Sequence, residues 1–142
     1  MEEPELLSGD WSSASGYRIG HRIADSSGVS AVFCGNDHMA LGLLRALAER
    51  GMRVPGDVSV VGFDDIPESA YFLPPLTTVR QDFGELGRRA LAMLVDMIDG
   101  RTSAPAHATH LKISPHLVAR ASTARPNHTG LQRRARKEDD DR

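Results

Sequence analysis

Along the chain, apolar and polar positions switch between a helical and an extended period several times, and the switches mark out alternating elements. Glu5-Leu6-Leu7 reads as a short strand ending at Ser8-Gly9-Asp10. Ser12 or Ser13 then caps a helix that runs to about Asp25 and stops at Ser26-Ser27-Gly28. Val29 to Cys34 is a short apolar run of the kind a buried strand shows. It breaks at Gly35-Asn36-Asp37, where Asp37 suits an N-cap, and a second helix runs to Arg50 and ends at Gly51. Val58 to Phe63 is the second buried strand, closed by Asp64-Asp65-Ile66-Pro67-Glu68. Past Pro74-Pro75 comes an extended piece, Leu76 to Arg80. Asp82 with Glu85 then forms a capping box for a long helix with apolar positions at Phe83, Leu86, Ala90, Leu91, Leu94 and Ile98. Gly100 ends it, and His110–Ile113 and His116–Arg120 read as two more short strands.

Strands alternating with helices across short loops predict an α/β fold, a parallel sheet with helices on both faces. From Thr123 the pattern stops. The basic block Arg133-Arg134-Ala135-Arg136-Lys137 beside Glu138 to Asp141 has no apolar face, which predicts a disordered tail over 124–142.

Composition narrows the class of function. The 142 residues are 40% hydrophobic and 25% charged, the mix of a single soluble domain, and nothing approaches 18 consecutive apolar residues. The acidic start Met1-Glu2-Glu3-Pro4-Glu5 has no apolar run behind it, so no secretory signal is expected. One cysteine, Cys34, leaves no disulfide framework or thiolate cluster, and a cytoplasmic location fits. A net charge of −2 supplies no basic field for holding nucleic acid through phosphates alone.

In an open parallel sheet, ligands bind outside the carboxyl ends of the strands. Asp10-Trp11, Asn36-Asp37 and Asp64-Asp65 all fall at such ends, and Gln81 follows the extended segment. Carboxylates and amides bond hydroxyls, and an indole covers the apolar face of a sugar ring. Taken singly, Asp37 and Asp65 read equally well as caps or turn formers, and Trp11 as core. Asp64-Asp65 also admits a magnesium-binding reading, which a lysine close by would support; before the tail there is only Lys112. His107 and His110, with His116 near, lack a helix to align them on zinc. No nucleophile or phosphate-loop motif occurs, so no catalytic residue, metal or cofactor is expected. The second helix carries Met39, Leu41, Leu43, Leu44 and Leu47 around more than one face, and Tyr71-Phe72-Leu73 adds an apolar cluster. A subunit interface or an intramolecular neighbour would use both.

Read in order, Gly9-Asp10-Trp11-Ser12, Ala31-Val32-Phe33, Asn36 to Gly42, Asp57 to Asp65, Pro75-Leu76-Thr77-Thr78-Val79 and Gln81-Asp82-Phe83 resemble the lactose-repressor (LacI/GalR) family of bacterial transcription regulators. The resemblance runs from about Gly9 to Thr123. It implies an incomplete type I periplasmic-binding-protein-like domain, with residues 1–123 its C-terminal part and residues 83–107 belonging to the first, otherwise absent subdomain. It implies a small effector, often a sugar, bound by Trp11, Asn36, Asp64, Gln81 and, more weakly, Phe83. It also implies a homodimer using Leu43, Leu44, Leu47, Tyr71, Phe72 and Leu73, with operator DNA read by a separate helix-turn-helix that precedes this segment in the family. A solute-binding component of a sugar importer shares the fold and is the competing expectation.

Overall fold

In a computed structural model, residues 5–26, 28–100 and 112–125 are described. The elements run α1 (Ser13–Asp25), β1 (Ala31–Phe33), α2 (Asp37–Glu49), β2 (Ser59–Asp64), a short 3₁₀ helix (Pro67–Tyr71), β3 (Thr77–Arg80), α3 (Phe83–Ile98) and β4 (His116–Val118). The four strands form one sheet in the order β1-β2-β3-β4. β1 and β2 pair in parallel, with Val32 opposite Val60 and Phe33 opposite Val61. The chain divides into two compact units, residues 1–79 with 117–142, and residues 80–116. Among the described residues no helix is long and apolar enough to cross a membrane.

Unit 1 owes its packing to small residues facing each other. Gly16 and Gly20 lie one turn apart on α1, opposite Gly42 and Ala46 of α2. A Cβ added to Gly16 would stand 2.0 Å from the Met39 carbonyl oxygen, and one on Gly42 would stand 1.9 Å from that of Ser13. The two helix backbones therefore meet directly, and α2 in turn covers β2. Leu43, Leu44, Leu47, Val58, Val60 and Leu76 fill the space between. Buried Ser122 stitches the sheet. Its hydroxyl donates to the Val60 carbonyl at 2.6 Å and accepts the Thr77 N–H at 2.8 Å, while its own carbonyl accepts the Val60 N–H at 2.8 Å.

Unit 2 is built on α3. The Asp82 carboxylate accepts the Glu85 N–H at 2.8 Å, the first half of the expected capping box. The return half is missing, because Glu85 turns outward to Arg88 at 2.6 Å and Arg89 at 2.5 Å. Gly100, at φ 65°, follows the helix in the left-handed conformation that releases it. No residue of α3 is buried, and Phe83, Leu91, Leu94 and Ile98 are all exposed.

Other expectations need adjustment. Glu5-Leu6-Leu7 has no strand partner and forms no strand. Lys112 and Ile113 are not in a strand either; His107, His110 and Leu111 lie outside the described residues, as does the tail from residue 126.

Candidate functional site

The strand ends are joined by two side chains at the start of α2. Asn36 rather than Asp37 is the N-cap: its backbone is extended, and its Oδ1 accepts the Met39 N–H at 2.8 Å. Its Nδ2 donates to the Trp11 carbonyl at 2.9 Å, which anchors the loop ahead of α1. Asp37, inside the first helical turn, is fully buried; its carboxylate accepts the Thr78 hydroxyl at 2.6 Å and the Ile66 N–H at 3.0 Å. Gly62 makes room for it, since a Cβ there would stand 2.2 Å from Asp37 Oδ1. Asn36 thus reaches back to the Trp11 loop and Asp37 forward to the turn after β2.

The Trp11 loop is shaped by hydrogen bonds of its own. The Asp10 carboxylate accepts the Ser12 N–H at 3.1 Å and also the Ser12 hydroxyl. Ser12, then Ser15 and, more weakly, Arg18 hold this carboxyl well below the usual carboxylate range. Trp11, between them, has φ 68° and is 67% exposed, with its ring edge 3.6 Å from where a Gly35 side chain would begin. Phe33, also exposed, stands edge-on to Phe63 at 6.4 Å. Trp11 and Phe33 rim a groove of about 920 Å³ along β1, floored by Ile19, Ile23, Met39 and Leu43.

Beyond Phe63 the chain turns sharply. Asp64 has φ 106° and Asp65 φ 55°. Such left-handed conformations at residues with side chains cost on the order of 1–3 kcal/mol each and collect at functional sites. Asp65 meets the Arg120 guanidinium at 2.6 Å, with side chains 3% and 16% exposed, and accepts the Ser69 hydroxyl at 3.3 Å. Its carboxylate is therefore engaged inside the protein. Asp64, the last residue of β2, is partly exposed.

The sequence-predicted residues sort accordingly. Asp64 stands at the end of β2 and is partly exposed, and Trp11, in the loop ahead of α1, presents its ring to solvent. Asn36 is buried, with both ends of its amide bonded within the chain. Gln81 and Phe83 belong to unit 2, where Gln81 lines a pocket of about 460 Å³ with Asp82, Leu86 and residues 112–115, and Phe83 is exposed. Of the expected interface residues, Leu43, Leu44, Leu47 and Phe72 are core of unit 1. Tyr71 and Leu73 are 88% and 92% exposed. Arg120 escaped notice in the sequence, since nothing local links it to a carboxylate 55 residues away. Phe33 and Phe63 carry only a strand signal in the sequence. Cys34 is buried, and burial, with the Asp37 charge as the smaller cause, pushes its thiol up to about 12.

An aromatic rim can stack on one face of a sugar ring, and a carboxylate can accept its hydroxyl hydrogen bonds. The chain matches the periplasmic binding protein-like domain over residues 2–123. It is 41% identical over 125 residues to the HTH-type transcriptional repressor PurR of Pectobacterium carotovorum subsp. carotovorum (strain PC1), covering 87% of this chain and 36% of that protein. The chain thus spans about a third of the length of the curated relatives it matches. A dimeric Lac repressor with an 11-residue C-terminal deletion is similar at TM-score 0.75 and 39% identity, over 84% of this chain and 43% of that one. The transcriptional regulator CelR in complex with cellobiose is similar at TM-score 0.74 and 38% identity, over 80% and 34%.

Proposed function

Since the chain belongs to the periplasmic binding protein-like domain family, and its relatives there are LacI-type repressors, we propose that it is the effector-binding portion of a bacterial transcription regulator, and that the effector is a sugar or sugar-like metabolite. The observations that carry the reading are Phe33 at the carboxyl end of β1, Phe63 and Asp64 at that of the parallel β2, and the groove along β1 that Trp11 shares with Phe33. The indole and phenyl faces pack on the ring, and Asp64 accepts its hydroxyls. Asn36 acts behind them by fixing the Trp11 loop. Dimerisation falls to the exposed Tyr71 and Leu73. DNA is contacted through a helix-turn-helix element, as the PurR relative's name states of that protein. The regulator reading carries a cytoplasmic location with it, and the names of the relatives favour it over an importer component.

Trp11 is the chain's single tryptophan, so its emission reports on the site directly. Titration with cellobiose and a panel of mono- and disaccharides is expected to shift that emission saturably. Asp64→Ala should weaken the responding sugar by about 1.5–3 kcal/mol, the scale of a hydrogen bond to a charged group. Silence across the whole panel removes sugars as the effector class, and unchanged affinity in Asp64→Ala removes that residue from the site.

A further inference from the structure

The turn after β2 is held by groups from two other parts of unit 1. On one side, Asp37 accepts the Ile66 N–H and the Thr78 hydroxyl. On the other, the Arg120 guanidinium donates through one nitrogen to Asp65 at 2.6 Å and through another to the Leu76 carbonyl at 2.7 Å. The Arg120 backbone N–H donates to Thr77 Oγ1 at 2.9 Å. Leu76 and Thr78 are therefore connected to the Asp64–Ile66 turn through the Arg120 and Asp37 side chains, and Thr77 is held by the Arg120 main chain. The chain leaves unit 1 after Val79, the residue following Thr78. It re-enters at Leu117, three residues before Arg120.

We propose that Arg120 is a positioning residue: through Asp65 it holds Asp64 in its left-handed, ligand-facing conformation and ties that turn to both points where the chain crosses between units. The ligand-facing half of this rests on the effector reading; the mechanical linkage does not. The planar guanidinium is suited to the task because it aims two donors at fixed angles, one at the carboxylate and one at the strand carbonyl. A lysine ammonium on a flexible stem reaches one of them at a time. Changes at the Asp64 turn are thereby passed to β3 and to the segment that carries Arg120.

Backbone amide exchange on the full 142-residue chain, without ligand, compares wild type with Arg120→Gln, Arg120→Lys and Asp65→Asn. In Arg120→Gln, exchange at residues 64–66 and at residues 77–79 is expected to accelerate together by about tenfold or more, while α1 keeps its protection. Arg120→Lys should restore only part of the loss. Unchanged exchange in either segment overturns the proposal. Equal acceleration throughout unit 1 does so too, because Arg120 would then be a stability residue and no more. If Arg120→Gln does not fold, the double variant Asp65→Asn/Arg120→Gln removes both charges at once and supports the same comparison. A second arm titrates cellobiose against Trp11 emission, where Arg120→Lys should raise Kd about tenfold, or about 1.4 kcal/mol. Unchanged Kd overturns the positioning role. A wild type that answers to no sugar counts against the effector reading, and the exchange arm still decides the linkage.

Discussion

Cys34 shows how one residue's surroundings set its chemistry. Its thiol is buried beneath the sheet end near the Asp37 carboxylate, and both disfavour the thiolate. The unfolded chain, with its thiol near the ordinary 9.0, loses the proton earlier than the folded one at about 12. Between those values unfolding releases a proton, so stability falls as pH rises through the window, and below pH 9 Cys34 contributes no pH dependence. Urea midpoints measured from pH 8 to pH 11 should decline, and Cys34→Ala should flatten this residue's share of the slope. Native protein at pH 8 should resist a thiol-reactive dye that labels it in urea; rapid native labelling would count against the buried thiol.

Among the elements, the contact of α1 with α2 is the tightest and the most exposed to single substitutions. Gly42→Ala pushes a methyl into the Ser13 carbonyl and should cost about 1–3 kcal/mol, the range for overpacking. Gly87→Ala on α3 meets nothing within 4 Å, and should instead add up to about 1 kcal/mol of helix propensity. Urea unfolding of unit 1 and helicity by circular dichroism separate the two, and equal effects would contradict this packing. Much of this level was legible in the sequence. Ser12, Gly51, Asp82 and Gly100 are local stop and start signals, and they place α1, α2 and α3 within a residue or so. The choice between Asn36 and Asp37 as cap was not legible, since both residue types cap well and only the extended backbone at Asn36 decides it. The apolar wrap of α2 revealed that Leu43, Leu44 and Leu47 are covered, but not that their cover is this chain's own core. The position of Asp64 at the end of β2 followed from periodicity, whereas the strand expected ahead of Trp11 does not form, and the Arg120–Asp65 pair joins distant segments and leaves no periodic trace.

At the scale of the whole molecule, α3 dominates solution behaviour. Leu86, Leu91, Leu94 and Ile98 are exposed along it with Phe83. Burying such side chains is worth roughly 1.5–3 kcal/mol each, comparable in sum with the 5–15 kcal/mol margin of a domain. The chain should therefore associate with itself. Sedimentation velocity should show mass rising with concentration, an apolar dye should bind, and Leu91→Glu/Leu94→Glu should reduce both effects. A concentration-independent monomer that binds no dye would contradict the exposure of this helix. The stitch made by Ser122 bears on synthesis as well as on stability. Val60 leaves the ribosome 62 residues before the serine that bonds it, a delay of roughly 3–12 s at ordinary elongation rates. Through that interval the nascent sheet has an open seam, and chaperones have their longest chance to capture it. Codons 80–116, which encode unit 2, act as the clock: slower decoding there should lower soluble yield, and faster decoding should raise it, with the amino-acid sequence unchanged.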